Sequence, residues 1–355
     1  MNPWDDIALA IKLDQPVHAR ELAGLDARKR QLGGVIFSHA KLAGASFVDA
    51  DLARARFINC DLEGADFSNA VLDHATFVKC NMKSSRLCAQ QMRHICWVDC
   101  DLGGSDWKHA QLQTSSVVNS TLQQARFDAA TLERSSFIND RFDHASLADA
   151  TLVQCVISPA DWRKVDLQGI CADGVVLSNA SLEGQKLAGV RLQRCTLQEA
   201  ELSDVDFGAA TLTGSNFYKA NFRRANLSQA AASRTLMLEA KLEQVNLVGA
   251  DLEGAIFQGA SLRDCQFDHA RLKTSVWNKS RHKKVSFLGA DLRYARLEHV
   301  AGDEVDFSRS ALDHARFHNA DLCHANFDGA SMRRVGRTDT VRLQQETRTL
   351  ALENT

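Results

Sequence analysis

The chain has 355 residues, 44 acidic against 42 basic, with a formal net charge of −2. So even a balance argues against a chain that binds a polyanion over its whole surface. The absence of a long apolar run and of a secretory h-region makes it read as soluble, unexported by the general route and cytoplasmic.

Ten cysteines raise the question of disulfides or zinc, but Cys60, Cys80, Cys100, Cys155, Cys195 and Cys265 all fall where the pattern described below otherwise places Ala or Ser. A free cysteine packs as a small apolar residue, and Cys88, Cys96, Cys171 and Cys323 show no CxxC spacing. No metal and no cofactor is expected, and the reduced compartment is the default.

Residues 1–34 are expected to form a helical N-terminal cap and a degraded repeat. Asn2 can cap a helix with Pro3 at its first position, and Asp5 and Asp6 suit the positive end of the helix dipole. Trp4, Ile7, Ala8 and Ile11 share a face, and the helix should stop before Pro16. Val17, Leu22 and Leu32 keep a five-residue beat, but Arg20 and Arg30 occupy the slot that later holds a small residue.

From residue 35 to 335 the beat is continuous. Every fifth residue is large and apolar, as in Phe37, Leu42, Phe47, Leu52, Phe57 and Leu62. Of the 60 central positions between 37 and 332, only Ala172, Ala232, His282 and Gly302 break the rule, and all 17 Phe fall on them. A period of five matches neither a strand nor a helix. It demands a chain that turns a corner in each unit, with the central residue and the small residue two before it inside.

The units Ala50-Asp51-Leu52, Ala250-Asp251-Leu252, Ala290-Asp291-Leu292, Ala320-Asp321-Leu322, Ala220-Asn221-Phe222 and Ala325-Asn326-Phe327 resemble the A(D/N)LXX motif of the pentapeptide repeat family. The resemblance covers about five-sixths of the chain. It implies an all-β, right-handed quadrilateral β-helix with four units per coil, hence 15 coils from the 60 units. At about 4.8 Å per coil the rod would be on the order of 70 Å long. Every twentieth residue should then stack, giving Phe37, Phe57, Phe77, Trp97, Val117 and Phe137 as one ladder and Leu42, Leu62, Met82, Leu102 and Leu122 as its neighbour.

Two places depart from this regularity. Pro159, Gly169 and Gly174 around Ala172 suggest a bend or bulge. His282 and Gly302 are one coil apart, with Lys283 and Lys284 beside His282, and suggest that the core column opens and the chain bulges outward there. Residues 336–355 leave the beat and are expected to form a helical or disordered tail, capped by Asp339 and with Leu343, Thr347 and Leu350 on one side.

Catalytic motifs are lacking: no G-x-S-x-G, P-loop, H-E-x-x-H or Gly-rich dinucleotide fingerprint occurs. A filled solenoid core offers no deep pocket, so an enzyme is disfavoured. His74 and His94 should be neighbours on adjacent coils, but without a third ligand they read as a solvated pair. Function must therefore lie on the surface.

One face is acidic, carrying Asp49, Asp66, Asp106, Asp128, Asp149, Asp166 and Asp206, then Asp268, Asp306 and Asp328. Arg86, Lys108, Arg126, Lys186 and Arg309 interrupt it. Because some members of the family are DNA mimics, the resemblance implies as the alternative a DNA mimic that binds DNA gyrase and protects against topoisomerase poisons. Duplex DNA of comparable length carries on the order of 40 charges, so this face falls short.

A second face stacks Ile58, Val78, Val98, Val118 and Ile138 in outward positions, beside a ladder of Asn59, Asn119 and Asn139 interrupted by Lys79 and Asp99. A contiguous β-branched surface suits protein binding. The leading expectation is a non-enzymatic protein–protein interaction scaffold of unknown partner, with a homodimer through a face or the terminal helix as one form. Direct nucleic-acid and membrane binding are not expected. The leader Ala23-Gly24-Leu25-Asp26 loosely resembles pentapeptide repeat proteins of type VI secretion, which implies an accessory role there.

Overall fold

A computed structural model describes residues 3–353. The chain divides into two compact units, Met1–Ser181 and Leu182–Thr355, each a parallel β-solenoid. A coil takes twenty residues in four five-residue sides, so the backbone of each side pairs with the same side one coil on.

The pentapeptide explains the corner. The Leu42 N–H donates to Asp61 O at 2.6 Å and the Gly44 N–H to Glu63 O at 2.8 Å, while the Ala45 N–H closes a turn onto Leu42 O at 3.0 Å. The second residue after nearly every central position adopts a left-handed φ, as at Gly44 (65°), Asn59 (52°) and His74 (62°), the exceptions being Pro159 and Lys164. Gly, Asn, Asp and His tolerate that region best. It takes nine of the 12 histidines: His39, His74, His94, His109, His144, His269, His299, His314 and His324. Backbone geometry, not metal chemistry, therefore places most of them.

In the first unit, helix α1 (Pro3–Lys12) lies against a coil that already begins at Val17, paired with Phe37. Bridges Glu21↔Lys41, Asp26↔Ser46 and Gln31↔Asp51 continue it, so residues 17–34 form a regular coil. The two arginines in the small slot point outward and hold α1. Arg20 Nη2 donates to Asp6 Oδ2 at 2.7 Å, and the Arg30 guanidinium sits 4.4 Å over the Trp4 ring. Ile7 of α1 is buried. Asn2 lies outside the described residues.

The aromatic ladder fills the core of this unit. Phe37, Phe57, Phe77 and Trp97 stack at 5.3, 4.9 and 5.8 Å, and Phe47 and Phe67 stack at 5.1 Å. The two columns meet edge to face, with Phe57 5.9 Å from Phe47 and 6.2 Å from Phe67. These are the favoured arrangements for aromatic pairs. Each buried ring adds roughly 1.5–3 kcal/mol of burial before entropy is subtracted.

No bulge forms at Ala172. It is buried and pairs in register with Leu152, while Gly169 and Gly174 occupy the ordinary left-handed slot (φ 68° and 65°).

In the second unit, strands Lys241–Glu243, Ser261–Arg263, Arg281–Lys283, Ala301–Asp303 and Asp321–Cys323 pair in order. The bulge expected at His282, Lys283, Lys284 and Gly302 does not occur. His282 pairs with Leu262 and Gly302 and points inward at 3% exposure. Ser280 donates its hydroxyl to Trp277 O, so the His282 Nε2–H donates to Ser280 Oγ at 2.8 Å. The ring packs 5.5 Å from Trp277. The space a side chain would take at Gly302 is filled from its neighbours, since a Cβ there would lie 2.7 Å from a Leu322 methyl and 2.9 Å from a Val305 methyl. The core closes by leaning, and the coil stays regular.

The unit ends in helix α2 (Thr340–Glu353), with Asp339 Oδ1 accepting the Val341 and Arg342 N–H groups at 3.0 and 3.1 Å as its cap. The side chains of Thr347 and Leu350 lie outside the described residues. Among the described residues no helix is long and apolar enough to cross a membrane.

Candidate protein-binding face

Five strands of the first unit carry the apolar stripe: Arg56–Ile58, Thr76–Val78, Cys96–Val98, Ser116–Val118 and Ser136–Ile138. Their central residues point into the core, so alternation sends the residues on either side outward. Ile58, Val78, Val98, Val118 and Ile138 therefore stand in register, each paired with the next. All five are half-buried, because each is flanked by its neighbours in the stack and open on its outer side.

The borders of the stripe are mostly short or uncharged, with Arg56 at the start of one and Lys79 and Asp99 in the other. On one side stand Thr76, Cys96, Ser116 and Ser136, with the Cys96 thiol 3.5 Å from the Ser116 hydroxyl. On the other, Asn139 Nδ2 donates to Asn119 Oδ1 at 3.2 Å and Asn119 Nδ2 to Asp99 Oδ1 at 3.3 Å. Asn59 and Lys79 continue this column as left-handed corners (φ 52° and 53°). Ser38 and Ser158 pair with the two ends of the stripe and bound it. The result is a flat β surface of five coils, apolar in the middle and sparsely charged at its edges.

Two family models match the chain: "Pentapeptide repeat region" at residues 30–96, 50–127 and 200–277, and "Pentapeptide repeats (8 copies)" at 176–214 and 303–335. The chain belongs to the pentapeptide repeat family.

Solved pentapeptide repeat structures include HetL, involved in heterocyst differentiation regulation, from the cyanobacterium Nostoc sp. strain PCC 7120. It is 28% identical over 63% of this chain and 87% of that one, with a TM-score of 0.26. QnrB1, a plasmid-mediated fluoroquinolone resistance protein, is 17% identical over 68% of this chain and 97% of that one, with a TM-score of 0.33. A pentapeptide repeat protein from the Arabidopsis thaliana thylakoid lumen is 30% identical over 28% of this chain and 65% of that one, with a TM-score of 0.19. A comparison with curated proteins finds no match.

On this pentapeptide framework the acidic face is less acidic than its composition. The column Asp66, Arg86, Asp106, Arg126 alternates in sign through consecutive coils. Asp66 lies 3.6 Å from Arg86, and Asp128 lies 3.0 Å from Lys108 and 3.8 Å from Arg126. Asp128 also accepts the Ser146 hydroxyl. Asp106 and Asp166 accept the N–H groups of Lys108 and Gln168 in their own corners. Asp49 and Asp149 are left-handed corner residues. In the second unit Asp206 accepts the Gly208 N–H at 3.0 Å and Asn226 Nδ2 at 2.7 Å. Most of these carboxylates are committed to partners in their own corner or on an adjacent coil.

Sequence reasoning passed over Asp140, the one acid in the inward small slot. It follows Cys60, Cys80, Cys100 and Ser120 in one column, two residues after Ile138, and is 8% exposed. The Ser120 N–H donates to its Oδ1 at 2.7 Å, but Oδ2 is buried with no protein partner. Burial pushes its carboxyl up to about 7. An acid in a slot otherwise held by small residues was the signal available.

His74 and His94 stack at 4.8 Å. Among the described residues, the group of three potential metal ligands close together is instead His299, His318 and Glu346 in the second unit.

Proposed function

We propose that this chain is a non-enzymatic scaffold that binds protein through the Ile58–Val78–Val98–Val118–Ile138 face. The observation that carries the reading is the unbroken register of five half-exposed β-branched side chains, bordered by Arg56 and then Thr, Cys and Ser on one side and by an Asn column holding Lys79 and Asp99 on the other. Such a surface suits a flat, apolar counter-face with amide or hydroxyl groups at its edge. A second copy of the chain satisfies that description, and so does a different protein.

Changing Val98 and Val118 together to Lys should leave folding within about 0.5 kcal/mol, because a lysine at a half-buried site extends its amine to solvent. Self-association by sedimentation, and capture of a partner, should weaken at least tenfold. Binding unchanged in a folded double variant would overturn the reading.

The DNA-mimic alternative draws less support. Sign alternation along Asp66, Arg86, Asp106 and Arg126 interrupts the continuous negative field that a duplex backbone presents. The tie to secretion rested on Ala23-Gly24-Leu25-Asp26, which serves here as an ordinary corner, with Gly24 at φ 69° and Leu25 buried.

A further inference from the structure

We propose that His299, His318 and Glu346 bind one divalent transition-metal ion of the zinc class, fastening α2 to the coil of the second unit. The three ligand atoms lie within 4.8 Å of one another. Glu346 Oε2 is 3.3 Å from His299 Nε2 and 3.2 Å from His318 Nε2. An ion with bonds of about 2.0–2.1 Å to nitrogen and oxygen in tetrahedral geometry needs ligand–ligand edges of about 3.3 Å. Two edges of that tetrahedron are already in place.

Two unrelated parts of the chain build the site. His299 is a left-handed corner (φ 60°), and His318 stands one coil further on, its carbonyl accepting the His299 N–H at 2.8 Å. The rings meet edge to face at 5.5 Å. Asp339 starts α2 and so sets Glu346 two turns into the helix, over both rings. The His318 side chain is 5% exposed and that of Glu346 30%, so an ion would be enclosed on the coil side and reachable from the helix side.

Surrounding charge is compatible. Arg342 Nε donates to Glu346 Oε1 at 2.8 Å, and its Nη2 lies 3.2 Å from Glu298, a carboxylate that Arg296 also approaches at 3.6 Å. The buried Glu298 offsets the arginine charge next to the site, and Arg342 orients the Glu346 carboxylate from its other oxygen.

Without metal, each imidazole carries its proton on Nε2. The Asp339 N–H donates to His318 Nδ1 at 3.1 Å, and His299 Nδ1 is 3.1 Å from Asn319 Nδ2. Binding at Nε2 moves each ring proton to Nδ1, with no net proton released. Asn319 meets this by turning its amide so that Oδ1 accepts. The Asp339 N–H must leave His318 Nδ1, so loading shifts the first turn of α2. That lost hydrogen bond makes the site weaker than a preformed zinc centre.

The full chain, stripped with a chelator, is titrated with Co²⁺ by visible absorption and with Zn²⁺ by calorimetry. One ion per chain is expected, with the intense visible bands of tetrahedral Co²⁺, displaced by Zn²⁺. Amide exchange at Asp339–Arg342 should change on loading. His299→Ala and Glu346→Gln, both at half-buried residues, should each weaken affinity at least tenfold with circular dichroism unchanged, while His74→Ala, at a histidine pair elsewhere, should not. No tetrahedral Co²⁺ spectrum, or binding indifferent to both triad substitutions, would overturn the site and leave the cluster a hydrogen-bonded clasp.

Discussion

Phe57→Ala is expected to destabilise the first unit by roughly 3–5 kcal/mol, the largest effect of any single truncation considered for that unit. Phe57 is fully buried and lies between Phe37 and Phe77 in one column and against Phe47 and Phe67 in the other. Removing the ring leaves a cavity walled by four aromatic faces. Their backbones are tied to the coils above and below, at Phe37↔Phe57 and Phe57↔Phe77, so the walls cannot collapse into it. In a solenoid each coil packs only on its neighbours, so the loss should stay local. Amide exchange should rise first in residues 37–77, with a lower melting temperature for the unit. A loss under 1 kcal/mol would show that the ladder relaxes and would refute the close packing.

His282→Leu and Asp140→Ser are expected to shift the pH dependence of stability in opposite directions. Burial holds His282 down to about 3, and its Nδ1 has no protein partner. A depressed imidazole contributes stability that is present above the unfolded value near 6.5 and is lost as pH falls toward 3. Between pH 7.5 and 4.5 that loss is roughly 2–3 kcal/mol. His282→Leu removes it and extends the Leu242 and Leu262 column with a matching side chain.

Asp140 runs the other way. Its carboxyl is raised to about 7, so its contribution is present below about 4 and lost as pH rises through 7. Asp140→Ser should therefore stabilise the first unit by roughly 4 kcal/mol at pH 8 and by little at pH 4. The measurement is peptide-level amide exchange over 131–150 and 271–290 at several pH values. Parallel pH profiles of variant and wild type in either segment would contradict the corresponding assignment.

The fold was legible because one rule recurs in nearly every unit. An apolar central residue, a small residue two before it and a left-handed corner two after it are all written locally. What escaped the sequence depends on partners far along the chain. Arg20 and Arg30 look like faults in the beat until Asp6 and Trp4 are seen beside them. His282 and Gly302 look like an opening until Ser280, Val305 and the Leu322 methyl are seen to close the space.

The surface divides in the same way. The Ile58–Ile138 stripe follows from the twenty-residue register alone, so its geometry could be read from spacing. The same register also sets Asp66 against Arg86 and Lys108 against Asp128, so that pairing could be read from spacing too, whereas the Ser146 hydroxyl on Asp128 could not. Nothing in the register relates Glu346 to His299 and His318. Helix α2 brings it there from outside the repeat.

The reading of this chain as a scaffold stands on one face, and position-specific photocrosslinking in the source cell tests it most directly. A photoreactive side chain at Val98 or Val118 should give a discrete protein adduct. The same group at Gln113 or Glu133, on another side of the same coils, should give none. Equal adducts from both sides, or none from Val98 and Val118 in a folded chain, would contradict it.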